Sequence, residues 1–296
     1  MIPLSIAPMM GYTDRHCRFF LRLLTKQALL YTEMVTTGAI LHGDRDRHLC
    51  INAVEHPLAL QLGGADPKEL AACAVIATEY GYDEINLNVG CPSDRVQAGR
   101  FGLCLLKTPE LVAECVNAMQ SVTDIPITVK TRTGVDDQDD YEYLVHFVSL
   151  VAQAGCQQFI IHARKGWLKG LSPKENRTIP PLDYGRVYRL KQDFPQLSIA
   201  LNGGVASLEE AKLHLQFVDS VMLGRAAYHN PYLLAEVDSM LFDSKAPPPS
   251  RESVFAEYQE YLQSEEFSSH AIRHALGLYH GQPHGKQWRR ALGQQP

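Results

Sequence analysis

The chain of 296 residues has no long hydrophobic run, no closely spaced cysteine pair and no excess of positive charge. No apolar stretch approaches the roughly 20 residues that a membrane-spanning helix needs, so we expect no membrane partner. The N-terminal residues enter a predicted strand directly, without the apolar segment of a secretory signal. These absences favour a protein of the cytoplasm.

The cysteines also limit the chemistry. There are seven, widely separated, and none forms a Cys-x-x-Cys pair. An odd count with scattered spacing fits reduced thiols and argues against a zinc site or a disulfide framework. The formal net charge of −5 does not indicate nucleic-acid binding, which would require a local basic surface.

Short strand-like runs alternate with amphipathic helical stretches along most of the chain. Strands are predicted at Leu4–Ala7, Leu29–Thr32, Leu58–Leu62, Glu84–Leu87, Ile127–Lys130, Gln158–Ile161, Ser198–Leu201 and Ser220–Leu223. Helices are predicted at Pro67–Tyr80, Thr108–Ser121, Asp139–Ala154, Asp183–Gln192 and Ser207–Leu215. Eight such units over about 230 residues predict a (β/α)8 TIM barrel, an α/β fold. A doubly wound sheet is the alternative, but no Gly-x-Gly-x-x-Gly turn follows the first strand.

The local signals agree with these boundaries. Asp66 and Thr108 are residue types that cap helix N-termini, and each precedes a proline at the first helical position. Gly81 and Gly155 stand where two of the helices should stop.

The composition changes after Phe242. Residues 243–250 contain Ser-Lys-Ala-Pro-Pro-Pro-Ser, which is typical of a stiff linker. Beyond it, Glu252–Gln263 and Ser269–His280 predict two helices. We expect a barrel domain at 1–242, a linker at 243–250 and a small helical domain at 251–296. The helical domain is too short to be an independent bundle, so it should lean on the barrel.

Residues at the carboxyl ends of barrel strands face the active site. The predicted strand ends carry polar groups with few acids, so the clustered carboxylates of a divalent metal site are missing. The residues are Pro8, Met9, Met10, Glu33, Gln61, Asn88, Lys130, His162, Asn202, Gly203, Gly204, Gly224 and Arg225.

Two glycine-containing turns follow strands seven and eight. Asn202-Gly203-Gly204 precedes a helix, and Gly224-Arg225 follows the last strand. Bare backbone amides and a guanidinium in these two loops form the usual phosphate site of a barrel, although each turn alone could be structural.

Three further side chains at strand ends suit a bound ring. Lys130 could stabilise negative charge, or could merely extend to solvent from its strand end. His162 could donate to a carbonyl or phosphate, or could be structural. Gln61 offers an amide that both donates and accepts, as the edge of a heterocycle requires.

A long loop after the fourth predicted strand carries Cys91 within Asn88-Val89-Gly90-Cys91-Pro92. A buried structural thiol is one interpretation. A nucleophile would need a nearby base, whereas a general acid would need the protonated thiol. The residues alone leave all three open.

Two clusters of basic residues stand out against the acidic net charge. The loop after strand six carries Arg164, Lys165, Lys169, Lys174 and Arg177, and the tail carries Arg273, Lys286, Arg289 and Arg290 beside Trp288. Such clusters suit a phosphate backbone.

Several motifs together resemble the tRNA-dihydrouridine synthases. They are Ala7-Pro8-Met9, Asn86-Leu87-Asn88-Val89-Gly90-Cys91-Pro92, Gly99-Arg100-Phe101-Gly102, Val129-Lys130, Ile161-His162-Ala163-Arg164 and Asn202-Gly203-Gly204. The blocks at 168–177 and 180–184 resemble the bacterial A subgroup, which acts on D-loop uridines 20 and 20a.

The resemblance implies an oxidoreductase with bound FMN, reduced by NADPH, that converts uridine in tRNA to dihydrouridine. It implies that Pro8, Met9, Met10, Gln61, Lys130, His162, Asn202, Gly203, Gly204, Gly224 and Arg225 bind FMN. Asn88 would contact the target uracil and Cys91 would be the general acid that protonates C5. Arg164, Lys174, Arg177, Lys286, Arg289 and Arg290 would contact tRNA. We expect a monomer without a metal ion.

Two positions depart from the subgroup. Leu103 stands where a small residue is usual, and the chain ends at Pro296, short of the last helices that we expect. Two other functions remain: an FMN-dependent barrel oxidoreductase acting on a free small molecule, and a non-catalytic RNA-binding module.

Overall fold

A computed structural model describes residues 2–265 and 270–293. Within them, eight strands form one parallel sheet: β1 (Leu4–Ile6), β2 (Leu30–Thr36), β3 (Leu58–Gly63), β4 (Glu84–Val89), β5 (Ile127–Arg132), β6 (Gln158–His162), β7 (Ser198–Asn202) and β8 (Ser220–Leu223). Neighbouring strands pair in order from β2 to β8, and β8 pairs with β1. The Ile6 amide donates to the Leu29 carbonyl at 2.8 Å, just before β2, so the ring closes. The predicted (β/α)8 barrel is confirmed.

Helices connect the strands and continue into the tail. They are α1 (Arg15–Leu24), α2 (Thr37–His42), α3 (Arg45–Leu49), α4 (Pro67–Tyr80), α5 (Asp94–Ala98), α6 (Pro109–Gln120), α7 (Tyr141–Gln153), α8 (Tyr184–Asp193), α9 (Leu208–His214), α10 (Arg225–His229), α11 (Val237–Leu241), α12 (Arg251–Ser264) and α13 (Gly285–Gly293). Short 3₁₀ helices lie at Ala53–Glu55, Gly102–Lys107, Glu175–Arg177, Pro231–Glu236 and Ala271–Gly277. None of the helices in the described ranges is both long and apolar enough to cross a membrane.

The predicted strands all occur, but several run further than predicted. β2 continues to Thr36, β4 to Val89 and β5 to Arg132. Glu33 and Asn88 therefore lie within strands rather than beyond them, and Lys130 lies inside β5 rather than at its end. Polar residues at these positions are compatible with a strand because their side chains face the barrel mouth.

Most of the predicted helix caps and helix-ending glycines occur as expected. The Asp66 carboxylate accepts from the amides of Lys68 and Glu69 at the start of α4. Gly81 ends that helix with a φ of +81°, and Gly155 has a φ of +109°. Thr108 is different, since its side chain makes no cap bond to α6 and its hydroxyl donates back to the Leu105 carbonyl.

The core has two layers. Inside the barrel, Tyr31 and Met222 pack with the small side chains of Ala59 and Ala200. Outside the strands, a larger apolar layer packs under the helices. Strand alternation separates the two layers, so residues that point inward near the carboxyl ends reach the mouth.

The tail packs against α1. Phe19 stacks on Tyr261 of α12, with ring centroids 3.7 Å apart, and Phe20 meets the buried Tyr258 at 4.9 Å. The second predicted tail helix is instead the 3₁₀ helix from Ala271, and its predicted start at Ser269 lies outside the described residues. A division into domains at 242 and 251 stays a prediction.

Candidate active site

Strand register places the predicted residues side by side at the carboxyl ends of the strands. Asn88 of β4 lies opposite Lys130 of β5. His162 of β6 lies opposite Asn202 of β7. Four residues that sequence reasoning selected separately therefore share one face of the barrel.

Asn88 fixes the start of the loop that carries Cys91. Its Oδ1 accepts from the amides of Gly90 at 3.1 Å and Cys91 at 3.0 Å, while its Nδ2 donates to Gln61 Oε1 at 2.9 Å. Because a backbone amide can only donate, the orientation of the Asn88 amide is determined. The Gln61 amide is oriented in turn.

The hydrogen bonds continue from the mouth into the barrel. Gln61 donates to Asn86 Oδ1 and Asn86 donates to Thr128 Oγ1, each at 2.8 Å. Thr128 donates to Glu84 Oε1 at 2.7 Å, and the hydroxyl of Tyr31 donates to the same oxygen. Burial raises the pKa of Glu84 above its ordinary value, and the hydrogen bonds from Thr128 and Tyr31 offset only part of this rise. The mouth amides are thus anchored through a buried polar chain.

The half-buried side chain of Lys130 is held in place by a hydrogen bond. Its Nζ donates to Asn202 Oδ1 at 2.9 Å, and Asn202 Nδ2 donates to the Met222 carbonyl at 2.8 Å. Burial, with the nearby charge of Arg132, lowers the pKa of Lys130 to about 7. A negative group bound beside it would favour its charged form.

His162 is neutral and incompletely bonded. Burial, with the charges of Arg132 and Lys130, lowers its pKa well below the ordinary value. Its buried Nδ1 has no hydrogen-bond partner within the described residues. Because buried polar groups are nearly always paired, this nitrogen is suited to a bound ligand.

The turn after β7 approaches His162 closely. Gly203 and Gly204 have φ values of +111° and +82°. A Cβ on Gly203 would lie 3.2 Å from His162 Nε2, and one on Gly204 only 2.5 Å from Leu182 Cδ1 and Tyr184 Oη. Only glycine suits these positions, which leaves backbone amides bare beside the histidine.

The turn after β8 is open. Gly224 is half-buried and Arg225 is exposed. Arg225 Nη2 donates to the Arg177 carbonyl at 3.4 Å, so the guanidinium lies near the loop that follows β6. With the Gly203–Gly204 turn, this arrangement suits a phosphate group.

The loop after β1 completes the ring of predicted flavin contacts. Pro8 is half-buried, and Met9 packs against the apolar cluster inside the barrel. Met10 is 62% exposed. The amide of Gly11 donates to Glu33 of β2, which ties this loop to its neighbour.

Cys91 is half-buried at the mouth. Its Sγ lies 3.6 Å from Ser93 Oγ, and its carbonyl accepts from the Leu103 amide at 2.9 Å. Arg132 lies next to this loop, since its Nε donates to the Gly90 carbonyl at 2.8 Å. In the described residues no imidazole bonds the sulfur, which disfavours a Cys–His nucleophile.

The predicted RNA contacts differ in accessibility. Arg164 is half-buried and donates to the Pro180 carbonyl, whereas Lys174 and Arg177 are exposed. In α13, Lys286, Arg289 and Arg290 are exposed around a cleft of about 390 Å³.

Trp288 does not face solvent as a free stacking platform. Its Nε1 donates to the Ala275 carbonyl at 2.9 Å, and its ring meets Phe255 at 4.5 Å and Tyr279 at 4.6 Å. It packs inside the tail.

Sequence reasoning missed two groups at the mouth. Arg132 and Ser93 flank Cys91 but were not selected. Arg132 follows Lys130 by two residues, so a period of two places both on one face of β5. The strand is predicted only as far as Lys130, so Arg132 falls outside it.

A cleft of about 500 Å³ lies beside the ring of predicted flavin contacts. Its lining includes Thr36, Thr37, Gly63, Arg100 and Phe101 but none of those contacts. Among the described residues, no group of three His, Cys, Asp or Glu side chains could hold a metal ion.

Active sites of TIM barrels lie at the face where these groups converge. Fold and site together define a TIM-barrel enzyme. The chain belongs to the dihydrouridine synthase (Dus) family, which it matches over residues 5–295.

Curated relatives named tRNA-dihydrouridine(20/20a) synthase are similar over nearly the whole chain. The protein of Vibrio parahaemolyticus is 62% identical over 98% of this chain and 90% of its own. Those of Synechocystis sp. and Escherichia coli strain K12 are each 58% identical over 98% of this chain, and 88% and 85% of their own.

A solved structure of 2-naphthoyl-CoA reductase with 2-naphthoyl-CoA has a TM-score of 0.61 at 12% identity. The matched region covers 80% of this chain and 50% of the reductase chain. This likeness shows the fold alone.

Proposed function

We propose that this protein reduces uridines 20 and 20a in the D-loop of tRNA to dihydrouridine, with bound FMN and with NADPH as reductant. The observation that carries the proposal is Cys91 on a loop that Asn88 fixes at the barrel mouth, where the next two strands carry Lys130 and the unpartnered nitrogen of His162. Membership of the Dus family over residues 5–295 supports it.

The residues at the mouth fit a flavin. Gln61, Lys130 and His162 would contact the ring and ribityl chain, with Pro8, Met9 and Met10 lining it. Asn202, Gly203, Gly204, Gly224 and Arg225 would hold the phosphate. The fit rests on the orphaned Nδ1 of His162 and the bare backbone of the two glycines. When bound and reduced by NADPH, the flavin supplies a hydride for uracil C6.

Cys91 would act as a general acid. Hydride addition at C6 places negative charge on C5 and the C4 oxygen of uracil. The S–H bond of Cys91 breaks as a C5–H bond forms, leaving a thiolate that solvent later reprotonates. Positive charge on Arg132, which bonds the Gly90 carbonyl beside Cys91, and on Lys130 of the same strand would stabilise that thiolate. A positioned acid contributes about 10²–10⁴-fold in rate.

Asn88 would orient the uracil, since its amide is fixed by Gly90, Cys91 and Gln61. The uridine must leave its stack, at a cost of a few kcal/mol. Phosphate contacts would offset this cost: Arg164, Lys174 and Arg177 on one side, and Lys286, Arg289 and Arg290 in the tail. We further propose a monomer, because one chain carries all of these groups, and a location in the cytoplasm, because its seven cysteines are free thiols.

Mass mapping of the D-loop tests the proposal directly. Unmodified tRNA is incubated with FMN-loaded protein and NADPH, and we expect each target uridine to gain two hydrogens. A tRNA with cytidine at both positions is the matched control and should remain unchanged. If the flavin binds and is reduced by NADPH but tRNA gains no mass, the small-molecule alternative replaces this proposal.

A further inference from the structure

Two loops flank β5 at the barrel mouth. The thiol loop, residues 90–108, carries Cys91 between β4 and α6. The basic loop, residues 163–183, carries Lys174 and Arg177 between β6 and α8. Arg132, the last residue of β5, lies between them.

Arg132 bonds to both loops with one guanidinium. Its Nε donates to the Gly90 carbonyl at 2.8 Å, and its Nη1 donates to the carbonyls of Lys165 and Asn176, each at 3.1 Å. The residue is 4% exposed. A planar fork with fixed donors suits this bridging, which a lysine could not reproduce.

Gln97 makes a second connection between the same loops. Its Nε2 donates to the Pro92 carbonyl of the thiol loop and to the Leu168 carbonyl of the basic loop, both at 2.8 Å. The loops also pack directly. A Cβ on Gly166 would lie 2.5 Å from Leu103 Cδ2, so Leu103 occupies the space that this glycine leaves.

The basic loop is itself braced where Arg132 meets it. Asn176 is fully buried, accepts from the Trp167 amide at 2.7 Å, and donates to the carbonyls of Trp167 and Leu171. The exposed Arg177 is its immediate neighbour. Arg177, which an anion can reach, is therefore connected to Arg132 through its neighbour Asn176, whose side chain holds this segment of the basic loop in place.

We propose that Arg132 and Gln97 are positioning residues that lock the thiol loop to the basic loop, so that the segment meeting RNA also sets the place of the Cys91 sulfur. The proposal rests on the function proposed above. Burial lowers the pKa of Arg132 only to about 10, so the guanidinium that bonds the thiol loop at Gly90 stays charged at neutral pH.

The first test compares Arg132→Lys with Arg22→Lys. Arg22 is a matched control, since it is equally buried and also donates to carbonyls, those of Thr25, Ala28, Glu55 and Pro57. These carbonyls precede β2 and β3, at the opposite end of the barrel. Both variants remove a guanidinium network and keep the charge.

Two measurements separate positioning from general stability. In Arg132→Lys, uridine reduction at saturating tRNA should fall at least about tenfold, out of the 10²–10⁴ that an acid supplies, while tRNA affinity stays within about twofold. Alkylation of Cys91 by iodoacetamide, followed by peptide mass, should become at least about threefold faster as the loop loosens. Arg22→Lys should change neither, whatever its melting temperature.

Equal effects of the two variants, or no effect of Arg132→Lys on rate and alkylation, would overturn the proposal. If Arg132→Lys does not fold, Gln97→Ala cuts the second, less buried connection and should shift both readouts in the same direction; unchanged readouts again overturn it. Alkylation is measured without tRNA or NADPH. A wild-type protein that makes no dihydrouridine, but whose variants still alter alkylation, would thus refute the proposed function and retain the inference.

Discussion

Individual side chains at the barrel mouth have little freedom to reorient. The side-chain oxygen of Asn88 accepts hydrogen bonds from two backbone amides, so its side-chain nitrogen is the atom that donates to Gln61. Lys130 is held by Asn202. Such groups need no reorganisation when charge develops nearby, which is how enzymes obtain electrostatic stabilisation. Cys91 differs, because its thiol is placed by the loop rather than by a strand.

Replacing Cys91 by alanine should separate the two half-reactions. Reduction of bound flavin by NADPH should be unchanged, whereas reduction of uridine should slow by about 10²–10⁴-fold because the positioned acid is lost. Stopped-flow absorbance of the flavin follows each step. Cys104→Ala, in the same loop and also half-buried, is the control and should leave both rates unchanged. Equal slowing of both steps in Cys91→Ala would contradict an acid role.

At the scale of elements, hydrophobic runs predicted the strands well but their ends poorly. Apolar periodicity records which residues face the outer core, and that signal stops where side chains turn toward the mouth. Asn88 and Arg132 continue β4 and β5 beyond these apolar runs because they pair with Lys130 and His162 of the neighbouring strands.

The thiol loop was the least predictable element. Its residues form α5, Asp94–Ala98, and a 3₁₀ helix, Gly102–Lys107, neither of which was predicted. Partners distant in sequence, Arg132 and Leu168, hold it in place. The motif resemblance located Cys91, but the groups that position it depend on tertiary contacts.

The tail shows a similar limit. A continuous helix was predicted at 269–280, whereas the described part contains a 3₁₀ helix at Ala271–Gly277 and then α13. Gly281, with a φ of +74°, lies between these two elements and separates them. The buried hydroxyl of Tyr258 in α12 donates to the Ala271 carbonyl at 2.8 Å. Packing on α12 therefore overrides the local propensity of this segment to form an α-helix.

Gly102 is the residue of the thiol loop that tolerates a side chain least. Its φ is +67°, and an added Cβ would lie 2.7 Å from the Cys91 carbonyl oxygen and 2.3 Å from Val96 Cγ1. Gly102→Ala should therefore destabilise the fold by roughly 1–3 kcal/mol and slow uridine reduction, because the loop must shift at Cys91. Urea unfolding and the uridine step are measured together.

Gly81→Ala is the matched control for backbone strain. Gly81 has a φ of +81°, with nothing within 4 Å of an added Cβ, and lies at the end of α4. This variant should lose stability through strain alone and keep its uridine reduction rate. If both glycine variants reduce uridine at the wild-type rate, the loop does not depend on Gly102.

At the scale of the whole molecule, Asp14 joins the tail to the barrel. Its carboxylate caps α1 through the Cys17 amide at 2.9 Å and lies 2.6 Å from Arg273 Nη2 and 3.0 Å from His274 Nε2. His274 Nδ1 shares a hydrogen bond with Tyr228 of α10, three residues after Arg225. The tail is therefore fixed relative to the mouth.

The Asp14 connection predicts a pH dependence of stability. Burial raises the pKa of Asp14, but the bonds and charges of His274, Cys17 and Arg273 outweigh it and lower the pKa from 3.8 to about 2. A lowered folded-state pKa gives stability that is complete above pH 3.8 and is lost as pH falls through 2. The contribution is about 2 kcal/mol at most.

Asp14→Asn isolates this contribution, because asparagine can still cap the helix. Between pH 4 and pH 2, the wild type should lose about 2 kcal/mol more unfolding free energy than the variant, measured by chemical denaturation. The exposed Asp124→Asn should parallel the wild type. A constant difference between wild type and Asp14→Asn across this range would show that the carboxylate does not link tail and barrel in this way.

The overall charge of −5 makes RNA binding depend on local surfaces, and salt dependence reports them. Lys286 and Arg289 lie one turn apart on α13, both exposed, and form no ion pair within the described residues. If each meets one phosphate, Lys286→Ala with Arg289→Ala should lower the slope of log affinity against log salt by about 1 per contact. Fluorescence anisotropy with labelled tRNA over a salt series measures this slope.

The exposed pair Arg47→Ala with Lys212→Ala is the control, since it changes the net charge by the same amount and should leave the slope unaltered. Equal slopes for both double variants would show that only the net charge matters and would remove α13 from the RNA contact.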